Sequence, residues 1–427
     1  MKSLVFFGAL LLAAIEPVPA YAYLDPGTGS MLLSVCIGLL SAGYFMAMKV
    51  PSLVRSVLFK ASGKADQERK HLVIYGESAN YWGTFRPLLE ELGRRGEAVE
   101  YLTSSENDPC FTAGLPECIT CRYIGKGNTA YTALNFLKAD ALVMTTPGIG
   151  VLQIRRSKGV GKYIHVLHAF GDVHYYKLFS FDYYDAVICN GDFQQKSLRA
   201  LEALRGTEPK ELPIAGCPYL DGLVARREAV GDLPPDPNCV LVAPTWGRLG
   251  MFTRYGSAVP KILAEAGFDV ILRPHPQSYI SEAGLMEQME AELAAYSNIT
   301  WDRNPDGFGS LSRASVMVSD YSTITLDFGF VFLRPVVTLY EDNLDPGGFE
   351  AFDIPHDRWN TSALKELGPI LTSPDLERLP DIIRKLDTEK DRAEHIRHLR
   401  DTSIANFGCA AGPVVDTILD IASKASK

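Results

Sequence analysis

The sequence predicts an α/β protein built as two Rossmann-like halves with a cleft between them, preceded by an N-terminal membrane segment. Three observations predict it. From residue 71 onward, short apolar runs alternate with helical stretches, the pattern that builds parallel sheets covered by helices. A proline-rich interruption, "GDLPPDPN" at 231–238, stops that alternation, which then starts again. Two uncharged runs lie ahead of it, at 3–15 and 31–48. A chain of 427 residues is also too long for one ordinary core.

Composition narrows the function classes. The chain is 47% hydrophobic and 22% charged, and 42 basic against 51 acidic residues give a net charge of −9. General nucleic-acid binding needs clustered Lys and Arg, so no nucleic-acid partner is expected and any anion site must be local. Cysteines stand at 36, 110, 118, 121, 189, 217, 239 and 409, several inside apolar runs, as buried thiols of a reducing compartment would. Cys110, Cys118 and Cys121 could supply three metal ligands, but no fourth Cys or His follows closely, and no metal is expected.

At the N-terminus, "SLVFFGALLLAAI" follows Lys2 and is short for a span but suited to a signal-peptide core. Ala20 and Ala22 form an A-x-A arrangement, so residues 1–22 are either a cleaved signal peptide or a first span. Residues 23–48 hold a short turn-rich outer segment and a transmembrane run, Met31–Met48, whose length reaches about 27 Å as a helix. Residues 49–70 then carry Lys49, Arg55, Lys60, Lys64, Arg69 and Lys70 against Asp66 and Glu68. The positive-inside rule places this side in the cytoplasm, and the expected location is a bacterial-type inner (plasma) membrane, with a single or double pass.

In the first half, "HLVIYGE", "AVEYLT", "ALVMTT", "KYIHVLHAF", "DAVICNG" and "LPIAGCP" read as strands, and "NYWGTFRPLLEELGRRG" as a helix ending at glycine. In the second half, "CVLVAPTW", "FDVILRPHP", "NITW", "ASVMVSD" and "RPVVTLY" read as strands and "AVPKILAEAG" as a helix. Residues 375–425 are helical and charged. No G-x-G-x-x-G follows the first strand, so a bound dinucleotide is not expected, nor any other cofactor. Ligands of such folds bind outside the carboxyl ends of strands.

Four stretches carry chemistry at those ends. In "FDVILRPHPQ" the strand ends at Arg273, and Pro274 and Pro276 hold His275 on a stiff path beside a permanent cation, an anion-binding arrangement. In "ASVMVSDYSTITLDFGF" Ser322 is expected to cap a helix, leaving N–H groups around Thr323 and Ile324 for a phosphate, with Asp327 one turn on. In "YIHVLHAFGDVHYYK" His165 lies within the strand as a core residue. His168 ends the strand as a candidate general base, with Asp172 to orient it and His174 and Lys177 following. A His168/Asp172/His174 metal set is not favoured by the spacing. In "APTWGRLG" Thr245 and the backbone near Gly247 line the cleft, and Arg248 could meet a phosphate; "GCPYLDGL" at 216–223 could shape a hinge.

Taken in order, "HAFGDVHYYK", "GCPYLD", "APTWG", "RPHP" and "SDYSTITLD" resemble the CDP-glycerol glycerophosphotransferase family, membrane-associated GT-B-type enzymes related to teichoic-acid synthesis. The likeness covers about residues 160–340. It implies an acceptor domain at 71–235 and a nucleotide-donor domain at 236–427, with terminal helices. It implies that His168 is the base, that His275 and Arg273 contact the donor diphosphate, and that Ser322, Thr323 and Asp327 hold the same pocket. An acceptor hydroxyl would attack the β-phosphate and release CMP. The sequence departs from the family in having His168-Ala169 for His-Gly, a longer histidine-to-lysine stretch, Gly247 where arginine is usual, and Ser322-Thr323 for a serine pair. The expected partners are a CDP-glycerol-like donor, a lipid-linked or glycan acceptor and the membrane. A nucleotide-sugar glycosyltransferase and a non-catalytic membrane-anchored scaffold are the alternatives.

Overall fold

Two parallel sheets, each six strands wide, carry the chain. The structure, a computed structural model, describes residues 69–425 except 152, 232–233, 305, 341–353, 355–357 and 387–390. The first sheet consists of β1 (Lys70–Gly76), β2 (Val99–Thr103), β3 (Ile119–Tyr123), β4 (Lys138–Met144), β5 (Gly159–Val166) and β6 (Ala186–Ile188), in the order β3-β2-β1-β4-β5-β6. The second consists of β7 (Asp236–Val242), β8 (Asp269–Leu272), β9 (Ile299–Trp301), β10 (Ala314–Ser319), β11 (Val336–Leu339) and β12 (Ile370–Leu371), in the order β12-β11-β10-β7-β8-β9. Strand order reverses between β1 and β4 and between β7 and β10, and those reversals open crevices at the strands' carboxyl ends.

The central strands are apolar on both faces because helices cover both faces. Val73 and Tyr75 pack with Leu142 and Met144 on one side of the first sheet, while Leu72 and Ile74 pack with Phe85, Leu88 and Leu89 on the other. The helix Trp82–Arg94 supplies those three residues at helical spacing, and Gly96 (φ +75°) follows it.

The chain differs from its sequence reading at three places. "LPIAGCP" is not a strand. It touches the sheet through bridges at Glu211 and Ile214, because Pro213 lacks a donor and Pro218 starts the helix Pro218–Val230. The edge strands β3 and β12 were not anticipated; β3 buries only its first residue and β12 is two residues long. The last helix, Ala411–Ala425, leaves the second half and packs on the first sheet. There Val414, Val415, Ile418 and Ile421 join the core of Leu72, Ile74 and Phe85.

A further apolar core joins the two halves. Phe170, Phe193, Cys217 and Leu220 from the first half pack with Leu326, Phe328, Phe330 and Leu364 from the second. The predicted signal and transmembrane segments and most of the basic linker lie outside the described residues. Of that linker, Arg69 pairs with Asp140 and Lys70 opens β1. Among the described residues, no helix is long and apolar enough to cross a membrane.

Candidate functional site

At the carboxyl edge of the second sheet, one carboxylate organises two loops. Asp320 follows β10 directly and is fully buried. Its Oδ1 accepts the N–H of Thr245 (2.9 Å) and of Ser322 (3.1 Å), and its Oδ2 accepts the N–H of Met251 (2.9 Å). Burial pushes its pKa up to about 6, against the pull of those three donors. The "APTWG" and "SDYST" loops are therefore fixed to each other through Asp320, a residue given no role from sequence. The signal that could have revealed it is a lone carboxylate closing an apolar strand just before a turn.

The helix Ile324–Phe332 begins in that knot, and its cap differs from expectation. The cap position is Thr323, in helical backbone, and no side chain caps the helix. Ser322 lies one residue before the cap position, its N–H donating to Asp320 and its carbonyl accepting the Thr325 hydroxyl (2.6 Å). The consequence favours a ligand, since an uncapped helix N-terminus retains donors for an anion.

His275 stands on the adjoining strand's exit, exposed, its ring centroid 6.2 Å from that of Trp246. The Gln277 N–H donates to His275 Nδ1 (3.1 Å), so the neutral ring carries its proton on Nε2 and offers it outward. Partial burial keeps its pKa below the ordinary histidine value, with Glu282 pulling the other way. Glu282 also accepts the Gly247 N–H (3.1 Å) and the Thr253 hydroxyl (2.6 Å), and so braces the loop that carries Trp246 and the exposed Arg248.

Arg273 goes elsewhere. β8 ends at Leu272, and the Arg273 Nη1 donates to Asp302 (2.7 Å) and to the Asn304 carbonyl (2.8 Å), both beyond the end of β9. This ion pair is largely shielded from solvent and ties two strand exits together. Arg273 thus serves as an internal strut, because a carboxylate beyond the neighbouring strand supplies a partner at once.

In the first half, His165 is enclosed by the rings of Phe181 (5.1 Å), Tyr184 (4.9 Å) and Tyr176 (6.1 Å), as its core reading requires. His168, beyond the end of β5, sits edge-on to Tyr81 (4.9 Å) and Tyr176 (5.8 Å). Its Nδ1 is 3.5 Å from the Tyr176 hydroxyl. Desolvation pushes its pKa down to about 4, so the imidazole is neutral at pH 7. Either atom of that contact can be the donor; in the tautomer with its proton on Nδ1, Nε2 keeps its lone pair.

Asp172 does not face His168. Its N–H donates to Asn360 Oδ1 (2.8 Å), and its Oδ2 accepts the Asn360 N–H (2.7 Å), a reciprocal clasp between the halves. Burial raises its pKa to about 6. His174 is buried 3.7 Å from Asp172, in the same seam and not on the cleft, and Lys177 is exposed. Gly171 (φ +149°) makes the clasp possible, because a Cβ there would lie 3.1 Å from Asn360 and 3.3 Å from Thr323. Asn360 left no local signal in the sequence.

Asp327 meets the first half through Tyr219, whose hydroxyl donates to its Oδ2 (3.4 Å). Desolvation raises the Asp327 pKa to about 7. Tyr219 lies against Gly83 on the helix that follows Tyr81, so Asp327 and His168 are linked through neighbouring residues of one seam. Among the described residues, no group of three or more His, Cys, Asp and Glu side chains could hold a metal ion.

No family model and no curated protein matches the chain. Solved structures do. Two variants of the wall teichoic acid polymerase TagF, one soaked with CDPG, align with TM-scores of 0.55 and 0.53 at 15% and 14% identity, each over 89% of this chain and 99% of theirs. A UDP-N-acetylglucosamine 2-epimerase from Rickettsia bellii aligns with a TM-score of 0.51 at 12% identity, over 84% of this chain and 97% of its own. The chain has the two-sheet, GT-B-like fold of TagF that its motifs predicted.

Proposed function

We propose that this chain is a membrane-anchored transferase that moves glycerol phosphate, or a related polyol phosphate, from a CDP-activated donor to a hydroxyl of a glycan or lipid-linked acceptor. The observation that carries the reading is the Asp320 knot. It sets Thr245, Ser322 and an uncapped helix N-terminus on one sheet edge, with His275 on the next strand exit. That set suits a diphosphate. The likeness to TagF, one structure of which was soaked with CDPG, supports a cytidine donor.

In this reading the acceptor oxygen attacks the donor's β-phosphorus, and its proton passes to Nε2 of His168. A new P–O bond forms, the bond to the bridging oxygen breaks, and the electron pair leaves with CMP. His275 Nε2–H and the helix N-terminus stabilise charge on the phosphoryl oxygens. Residues 71–235 serve the acceptor and 236–427 the donor, and the basic stretch at 49–70 holds the enzyme on the cytoplasmic face of an inner membrane.

The test is incubation of the full chain with CDP-glycerol, CDP-ribitol and UDP-N-acetylglucosamine, with the released nucleotide identified. CMP from a CDP-polyol is the expected product. UDP, or an epimerised sugar nucleotide, would replace the reading with sugar-nucleotide chemistry, which the epimerase likeness favours.

A further inference from the structure

The first sheet holds a cavity that none of the roles above uses. It measures 340 Å³, within the range of small-molecule sites, and opens at the carboxyl ends of β1, β2 and β3. Glu77 and Ser78 enter it from the β1 exit, Ser104 and Ser105 from the β2 exit, and Lys126 from the β3 exit, with the Tyr131 ring as a wall. Tyr75 forms the remaining side and holds Ser104 by a 2.8 Å hydroxyl contact.

Its charges are arranged for a guest. Glu77 and Lys126 line the same space without forming an ion pair with each other, and among the described residues neither has another ion-pair partner. The helix Asn128–Asn135 starts at Gly127, on the cavity's rim, without a side-chain cap. The Lys126 side of the cavity therefore suits one phosphate. The Glu77 side, with its serines, suits hydroxyl groups, which donate to the carboxylate. A diphosphate is disfavoured because its second negative charge would approach Glu77.

The loop that lines the cavity also reaches the proposed base. The Ser78 hydroxyl accepts the Asn80 N–H (3.2 Å) and stiffens the turn Ala79–Tyr81, whose Tyr81 ring packs on His168. One braced loop thus carries Glu77 into the cavity and Tyr81 to the imidazole.

We infer that this cavity is a binding site for a phosphorylated polyol, in which Lys126 holds the phosphate and Glu77 with the serines holds the hydroxyls. Its role, seating the acceptor's end beside His168, rests on the proposed transferase reading; its ligand class does not.

Calorimetric titration of the full chain with sn-glycerol 3-phosphate, glycerol, inorganic phosphate and phosphoethanolamine tests it. Glycerol 3-phosphate is expected to saturate one site more tightly than any of the other three. Lys126→Met should weaken it at least about tenfold. Glu77→Gln should weaken it severalfold without weakening phosphate binding. His275→Ala, in the other half, should leave it unchanged. Among the described residues neither the Lys126 nor the Glu77 side chain forms an ion pair or hydrogen bond that substitution would remove, and an unchanged melting curve confirms folding. Equal affinity for inorganic phosphate, tighter binding of phosphoethanolamine, or indifference to both cavity variants would each overturn the assignment. Cavity-dependent binding without turnover of any CDP-polyol would sink the transferase and keep the site. Turnover whose acceptor KM is the same in both variants would do the reverse.

Discussion

His165 and His168 lie three residues apart, and desolvation lowers both pKa values, yet they should behave differently. Neither ring nitrogen of His165 has a hydrogen-bond partner among the described residues, and three aromatic rings enclose it. Its folded pKa is held well below 6.5, so below pH 6.5 the unfolded chain takes up a proton that the folded chain refuses. Stability from this site is therefore lost as pH falls, at about 1.4 kcal/mol per pH unit. His165→Phe should remove that loss, and its melting-temperature advantage over the parent should widen from pH 7 to pH 5.5. A constant difference across that range would contradict the account. His168, by contrast, reaches the seam between the halves. Its replacement by alanine should lower kcat about 10²- to 10⁴-fold, as for a lost general base. The ionisation near neutrality should belong to Asp327, whose pKa is raised to about 7. Protonation below pH 7 removes a negative charge from the first turn of the helix proposed to hold the donor phosphates, so donor KM should fall as pH drops from 8 to 6. Asp327→Asn should abolish that trend and His168→Ala should preserve it; the opposite pattern would reassign the titrating group.

Among elements, the loop knot at the end of β10 sets the edge proposed to bind the donor. Asp320→Ala would leave the N–H groups of Thr245, Met251 and Ser322 without their acceptor. At roughly 1–3 kcal/mol for each buried donor left unsatisfied, the loss should exceed about 3 kcal/mol. Asp320→Asn, which keeps one acceptor oxygen, should fall between it and the parent in urea unfolding. Donor affinity should fall in the same order. This element also shows what could be read in the sequence. "RPHP", "APTW" and "SDYST" are local signals, since proline, strand ends and small hydroxyls act within a few residues, and the structure brings all three to one edge. Asp320 was overlooked because a carboxylate in a turn reads as solvated until its three donors are known. The strut from Arg273 to Asp302 was not foreseen because its partner lies 29 residues away, beyond another strand. The clasp of Asp172 with Asn360 spans 188 residues and has no periodicity to betray it.

On the scale of the whole molecule, the two halves are continuous in space though the chain runs through them in sequence. The seam of Phe170, Phe193, Phe328 and Phe330, with the Asp172–Asn360 clasp beside it, gives them a shared core. The helix Ala411–Ala425 strengthens that union by returning from the second half to the first. It does so because the face of the first sheet bearing Leu72, Ile74 and Ile164 needs an apolar cover, which Val414, Val415, Ile418 and Ile421 provide. Three further contacts fix its path. The Ala410 and Ala411 N–H groups donate to Asp221 (2.9 and 2.7 Å), and Arg95 pairs with Asp416. Burial of those four side chains is worth roughly 1.5–3 kcal/mol each, together on the order of the net stability of a domain. Truncation after Asn406 should therefore unfold the first half, although every removed residue lies at the far end of the chain. The expected readout is loss of the cooperative thermal transition and a tendency to aggregate. A gentler variant separates this from mere shortening: Ile418→Ala should cost about 2–5 kcal/mol by the usual large-to-small rule, while Asp420→Ala, on the exposed side of the same helix, should cost under about 1 kcal/mol. If the Ile418 variant unfolds at the parent's urea midpoint, the terminal helix is not a structural part of the first half, and the second half would fold without it.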